Sequence, residues 1–353
     1  MKVANKTSIQ LRRENITRLL FFLAAVGLVF LVLIIVENLL LSTVLAFVFS
    51  YLLSPLVNRL ERRGVNRTLS VTLIFALVTL TLAVLLTALF PFISDQMTSF
   101  KSEISIYIEG IANLIKDSEA LFVKLSGTFF NIDISQKVEL TLTSWTSSLF
   151  DDLPSILQKL FTTLLLAPFL TFFLLKDGRR FSKIILSLVP NNIFEMILNL
   201  YSQVNDQIGQ FVRARLMESI FVGLLMWIGL FAIGARYATL LAAFAALTNL
   251  IPYVGPFIGA VPALVMALIN GESSLFFFLT VMVYLITQLV DMLFIIPLVV
   301  AKIVDLHPVT VILAIIVGAQ LMGVLGMIIS IPVASALKVT VTSVYVHLVG
   351  FRS

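Results

Sequence analysis

The sequence predicts an all-α, polytopic membrane protein: about six full transmembrane helices plus two re-entrant helical hairpins, or eight spans if both hairpins run straight through, and a small extracytoplasmic helical region. Three observations predict it. Of 353 residues, 59% are apolar and 12% charged, with a mean hydropathy of +1.08, more apolar side chains than one water-soluble core of this size hides. The apolar residues fall in long runs of the kind a bilayer demands, about 20 per spanning helix. Finally, apolar sequence is broken at Asn249-Leu250-Ile251-Pro252-Tyr253-Val254-Gly255-Pro256, where two prolines remove two backbone donors and strand the carbonyls one turn earlier. Lipid-facing helices avoid such a break, and transporters use it where unwound backbone lines a cavity.

The first run, about Leu19 to Val36, follows Lys2, Lys6, Arg12, Arg13 and Arg18. This resembles a signal peptide's basic start, but no small-residue cleavage site is evident and a second run, Leu39 to about Val57, follows directly, so a retained helical hairpin is expected. The next loop sets Arg59, Arg62, Arg63 and Arg67 against Glu61, which places that loop and the N-terminus in the cytoplasm by the positive-inside rule. A third span, Leu69 to about Phe92, carries the chain outward. In residues 94–155, Phe100, Ile104, Ile108, Ile111 and Ile115 recur at helical spacing opposite Lys101, Glu103, Glu109 and Lys116, so an amphipathic helical cap is expected, with an internal turn at Gly127 to Asp133.

A fourth span, about Ser155 to Leu175, returns to the cytoplasm at the basic stretch Lys176 to Lys183. Ile193, Ile197, Leu200, Val204, Ile208 and Phe211 then share one helical face, the pattern of an interfacial helix. A fifth span covers about Leu216 to Gly234, with Glu218 expected in an interfacial ion pair beside Arg213 and Arg215. Residues 238–269 are too many for one span and too few for two. They form either one long broken helix or a re-entrant hairpin with its tip at Pro252 to Pro256. Another span, about Ser274 to Val299, precedes a second interrupted region, Val309 to about Ala336. Two hairpins keep Lys302 and Lys338 on the cytoplasmic side, whereas straight threading separates them. The expected segments are therefore 1–93, N-terminal transmembrane helices; 94–155, the extracytoplasmic region; 156–213, a transmembrane and a cytoplasmic interfacial helix; and 214–353, a transport core of two inverted span-hairpin units whose tips meet near the bilayer midplane. Both termini are expected in the cytoplasm.

Candidate substrate-binding residues follow from this threading. Asp291, in an otherwise apolar span with Gln288, costs roughly 2.5–3.5 kcal/mol at a bilayer centre, which marks a cavity-facing contact for substrate, proton or cation; the alternative is a helix-capping role near the span's end. At the first tip, Asn249, Pro252, Tyr253, Gly255 and Pro256 offer open carbonyls and the amides of a helix starting near Phe257, or else a simple bend. At the second, Gln320 and Gly323 lie among Gly318 and Gly326, whose alternative role is close helix packing.

Other classes are excluded. There is no cysteine, hence no disulfide framework or thiolate metal site. The pI of about 9.5 reflects basic residues beside apolar runs, not a nucleic-acid surface. No HExxH, phosphate-cradling Gly-Lys-Ser/Thr or Ser-His-Asp arrangement occurs, and His307 and His347 are the only histidines, so no enzymatic activity, metal or cofactor is expected. Secondary transport or facilitated diffusion is the default.

Five stretches carry a family resemblance: Leu52-Leu53-Ser54-Pro55-Leu56-Val57-Asn58-Arg59-Leu60; Phe172-Phe173-Leu174-Leu175-Lys176-Asp177; the Asn249 to Pro256 break; Leu306-His307-Pro308; and Gly323-Val324-Leu325-Gly326 to Ile331-Pro332. Over nearly its whole length the chain resembles the autoinducer-2 exporter family of bacterial inner-membrane transporters, notably its PerM-like permeases. The resemblance implies two substrate-handling hairpins, a homopentamer, an elevator-like movement and a role in quorum sensing. Members are also described as cation/proton antiporters. Two transport readings follow: export of a small polar, autoinducer-2-like molecule through the hairpin tips, or sodium or lithium exchange for protons at Asp291. A single membrane carboxylate argues against the second. A third class is a non-transporting scaffold or channel whose external cap recruits a partner.

Overall fold

A computed structural model of the chain describes residues 27–28, 31–33, 35–36, 38–126, 134–151, 153–187, 189, 193–269, 274–300 and 306–350. Among these residues the regular structure is helical, with no strand. The helices are α1 (Leu39–Arg62), α2 (Arg67–Ser126), α3 (Ile134–Asp151), α4 (Leu153–Ser187), α5 (Phe194–Ala232), α6 (Ala238–Asn249), α7 (Gly255–Ile269), α8 (Ser274–Val290), a π-helical segment (Asp291–Val300) and α9 (Pro308–Gly350). Most of the first apolar run and the turn expected at Gly127 to Asp133 lie outside the described residues.

Five stretches of helix among the described residues are long and apolar enough to cross a membrane: Leu39–Arg62, Arg67–Leu85, Phe194–Ala232, Ser274–Leu298 and Pro308–Ser343. Leu77, Leu80, Phe231, Phe257 and Leu298 point outward, 58–81% exposed, the apolar exterior that lipid contact requires. The chain is a polytopic, all-helical membrane protein.

Two helices each join segments that the sequence separates. In α2 the third span and the amphipathic stretch form one helix of 60 residues, with Pro91 inside it; a lone proline kinks a helix more readily than it ends one that neighbours support. In α5 the interfacial stretch and the fifth span are continuous over 39 residues. The expected stripes nonetheless turn inward: Phe100, Ile104, Ile108, Ile111 and Ile115 on α2, and Ile197, Leu200, Val204, Ile208 and Phe211 on α5, are all partly or fully buried.

The chain divides into two compact units, Met1–Val78 with Gln158–Arg213 and Ile303–Ser353, and Thr79–Leu157 with Ala214–Lys302. In the first, Val57, Val71, Ile74 and Leu175 form a core with Leu53, Leu60, Phe75, Val78 and Phe172 around it. Beside it Arg67 donates to the Leu175 and Lys176 carbonyls at 2.8 and 3.1 Å, and Glu61 pairs with both Arg67 and Arg179 at 3.1 and 2.8 Å. The basic loop is thereby tied to the second half of α4.

In the second unit Met226 and Leu230 of α5, Leu241, Ala242 and Ala245 of α6, and Ala263 and Met266 of α7 pack with Tyr107 and Tyr237. The second half of α2 grips both ends of the α6–α7 pair. Gln96 Oε1 accepts from the Leu240 amide at 3.3 Å, capping the start of α6, and Glu103 takes both Arg236 and the Tyr237 hydroxyl, the latter at 2.9 Å. Fourteen residues beyond Gln96, at Gly110, a Cβ would lie 2.5 Å from the Ile269 side chain at the end of α7.

Candidate functional site

The double-proline break forms a tight helical hairpin. α6 has 12 residues and α7 has 15, each short of the ~20 of a span. They pack antiparallel: a Cβ on Gly255 would sit 1.9 Å from the Thr248 carbonyl oxygen, and one on Gly259 would sit 3.0 Å from the Ala245 Cα. Only glycine fits at Gly255. The chain reverses at Tyr253, whose φ is +63°, a left-handed conformation uncommon for a bulky residue. Here the Val254 amide turns back to the Pro252 carbonyl at 2.7 Å and Gly255 to Ile251 at 2.9 Å. α7 starts at Gly255, two residues earlier than expected.

The carbonyls freed by this turn are not open. Thr248, deprived of a donor by Pro252, accepts from the Ile251 amide at 2.9 Å. Those of Asn249 and Leu250 accept from the Arg215 guanidinium on α5, through Nη2 and through Nε at 3.2 Å. Arg215 Nη1 donates in turn to Glu218 Oε1. This pair is buried within the protein: Arg215 is 7% and Glu218 1% exposed. Ser219 adds a 2.6 Å bond to the Ala246 carbonyl, so one turn of α5 serves as the polar backing of the hairpin tip.

Asp291 joins this group. It is 2% exposed and lies about two turns along the same helix face from Val283, which packs on Gly229 of α5, and Tyr284, which bonds α7 at Gly259, so it faces the same interior of α5 and α7 as Glu218 and Arg215. It stands where α8 widens into the π-helical segment, a form rare in proteins and frequent at functional sites; Pro297 inside that segment lacks the N–H that an α-helix would use. Thr280, Tyr284, Thr287 and Asp291 form an inward polar stripe at helical spacing, with Thr280 and Thr287 buried and the Tyr284 hydroxyl donating to the Gly259 carbonyl at 3.1 Å. Three buried polar atoms in this group have no hydrogen-bond partner among the described residues: Glu218 Oε2, Asn249 Nδ2 and Asp291 Oδ1. Such atoms are costly in an apolar interior.

The structure therefore brings Asn249 and Asp291 to the same buried group from the candidate residues. Pro252 is buried and Gly255 packed in the turn, with Pro256 half-buried and Tyr253 57% exposed at its surface. Gln288 does not join them; it lies on the exposed side of α8. Gln320 and Gly323 belong to the other unit, where α9 is itself a hairpin. At Met322 and Gly323 the backbone leaves the helix, Gly323 having φ +60° and ψ −140°, a conformation essentially restricted to glycine. Gly323 makes the turn, Gly318 and Gly326 pack the arms, and Gln320 is exposed. Val311, Ile315 and Ile331 are buried across the arms together with Phe211.

Arg215 and Glu218 were not among the sequence candidates, and neither were Thr280, Tyr284 and Thr287. The threonine–tyrosine–threonine–aspartate spacing of four, three and four was a readable signal. For Arg215 and Glu218 no sequence signal distinguishes a buried pair from an interfacial one. No group of three His, Cys, Asp or Glu among the described residues could hold a metal ion.

The family described as AI-2E family transporter matches residues 20–345. "Putative transport protein YueF" of Bacillus subtilis (strain 168) is 31% identical over 267 residues, 73% of this chain and 71% of that protein. "Putative transport protein YrrI" of the same organism is 34% identical over 173 residues, 49% of this chain and 48% of the relative. "Putative permease PerM" of Escherichia coli (strain K12) is 28% identical over 178 residues, 50% of each chain.

Proposed function

Because the chain belongs to the AI-2E transporter family, we propose that it is an inner-membrane secondary transporter for a small polar solute, with the α6–α7 tip and the polar group behind it as the transport site. The observation that carries this reading is the set of unpartnered atoms on Glu218, Asn249 and Asp291, next to backbone that fails to stay helical. In this reading both hairpins are re-entrant and both termini cytoplasmic; α6 and α7 are too short to span, and the arginines of residues 59–67 sit at one helix connection. Asn249, Pro252, Tyr253, Gly255, Pro256 and Asp291 belong to the first tip and Gln320 and Gly323 to the second, with Gln288 a surface contact. The homopentamer and the quorum-sensing role rest on the family resemblance.

Two cargoes fit. The first is an autoinducer-2-like molecule, exported by exchange of hydrogen bonds with the tip. The second is sodium or lithium exchanged for protons, and Glu218 favours it specifically: it supplies the second buried carboxylate that Asp291 alone lacks, while Arg215 already occupies the Asn249 and Leu250 carbonyls a polyol would use. Reconstituted vesicles decide between them. Asp291→Asn and Glu218→Gln abolish proton-coupled sodium and lithium flux and spare polyol flux if the site exchanges ions. If only polyol flux is lost, the solute reading holds; if wild-type vesicles move neither, both cargo assignments fail.

A further inference from the structure

We propose that Glu218 and Asp291 hold one exchangeable proton between them and that Arg215 reports its presence to the hairpin tip, pinning the tip while the proton is bound and releasing it when the proton leaves. The inference rests on the α6–α7 tip being the transport site, and it holds for either cargo.

The ionisable groups around the site are few: Arg215 and Glu218 from α5, Tyr284 from α8 and Asp291 at its end, with no ionisable side chain in α6 or α7 and Tyr253 exposed at the tip. With both carboxylates ionised, one arginine leaves the group with a net charge of −1 in an apolar surround, an unfavourable state that one proton cancels. Each carboxylate has an oxygen waiting for it, Glu218 Oε2 and Asp291 Oδ1, both buried and without a partner.

The Arg215 fork is divided between Glu218 and the tip: Nη1 goes to the carboxylate, Nη2 and Nε to the Asn249 and Leu250 carbonyls. These carbonyls have lost their helical donors to the turn, since Val254 donates to Pro252 instead. While Asp291 is neutral, Glu218 is the sole anion facing Arg215 and the guanidinium keeps its outward-reaching donors on the tip. Once Asp291 is ionised, a second carboxylate competes for the same fork, and a guanidinium–carboxylate pair, charged on both sides, outweighs guanidinium bonds to neutral carbonyls. Loss of the proton thus shifts Arg215 inward and leaves the tip backbone unsupported. No redox chemistry is involved: one carboxyl O–H bond breaks, a new bond to the proton forms on water or another carrier, and the group gains one negative charge.

The absence of native cysteine makes the test direct. Val254 is 39% exposed at the tip; Val254→Cys in the full chain, reconstituted in liposomes, is labelled with a membrane-permeant maleimide across pH. Rates are divided by those of a Thr68→Cys reference, an exposed position, to remove thiol ionisation. The normalised rate is expected to rise severalfold with pH along a one-proton curve. Asp291→Asn is expected to hold it flat at the low value, Arg215→Gln flat at the high value, and Asp291→Glu to restore the response at a shifted midpoint. A flat wild-type profile, or a response surviving Asp291→Asn, overturns the proposal. A response without flux of any tested cargo supports it while defeating the transport reading, and flux lost in Asp291→Asn with the response intact does the reverse.

Discussion

Gly318 and Gly326 face each other across the α9 turn so closely that a Cβ on either would lie 2.3 or 1.9 Å from the carbonyl oxygen of the other. Eight residues apart on one straight helix they would be about 12 Å apart, so the contact itself proves the reversal. Gly318→Ala and Gly326→Ala are each expected to destabilise by about 1–3 kcal/mol or more, because backbone, unlike a flexible side chain, has nowhere to go. Gly323→Ala acts through conformation alone and is expected to cost about 1–3 kcal/mol. Thermal unfolding in detergent, followed for all three variants, checks this; an unchanged midpoint for Gly326→Ala contradicts the packed hairpin.

Arg215 and Glu218 form the buried pair with the largest expected effect. Removing one partner, as in Glu218→Leu or Arg215→Met, is expected to cost about 3–5 kcal/mol, since the other charge is left buried and uncompensated. The double variant should recover part of this loss but not all, because Arg215 also supports the Asn249 and Leu250 carbonyls. A double-mutant cycle on unfolding midpoints measures the coupling; strict additivity would mean that the two side chains do not interact.

Sidedness follows from the hairpins. Cysteines introduced at Arg236 and Ser274, which bracket α6 and α7, are expected to react with an impermeant thiol reagent from the same face of the membrane. The same holds for His307 and Lys338 around the α9 turn, on the opposite face. Straight spans would place the members of each pair on different faces.

At the Glu103 cluster the hydroxyl matters more than the exposed cation. Arg236 is 56% exposed, so Arg236→Ala is expected to cost less than about 1 kcal/mol. Tyr237→Phe removes a 2.9 Å bond to Glu103 Oε2 from a ring only 6% exposed and leaves that oxygen with the longer 3.4 Å bond from the Tyr107 hydroxyl, a cost of about 0.5–1.5 kcal/mol. Burial, and next the Glu103 hydrogen bond, raise the Tyr237 phenol above its ordinary value. Its contribution is thus complete below the unfolded value of about 10 and falls away as pH rises through the folded one. The wild type should lose its advantage over Tyr237→Phe in strongly alkaline buffer, read as converging melting temperatures.

Much of this architecture is legible in the residues. Pro252, Gly255 and Pro256 mark one reversal and Gly323 another, because each solves a backbone problem that few residue types solve. Helix junctions are less legible. Nothing between Phe92 and Ser94 says whether a span ends there, and the structure runs straight on. The site is half legible: Asp291 is conspicuous in apolar sequence, whereas Arg215 and Glu218 look like any charged pair at the end of a span. Their meaning depends on a carbonyl pair more than thirty positions away, a relationship that exists only after α5 and the hairpin have packed.

The hold of Gln96, Glu103 and Gly110 on both feet of the α6–α7 hairpin makes the far half of α2 a handle. Any displacement of the hairpin as a body drags that stretch along, and anything that seizes the stretch arrests the hairpin without approaching the buried charges. An antibody fragment raised against residues 96–117 would accordingly act as a brake, freezing one working posture for imaging.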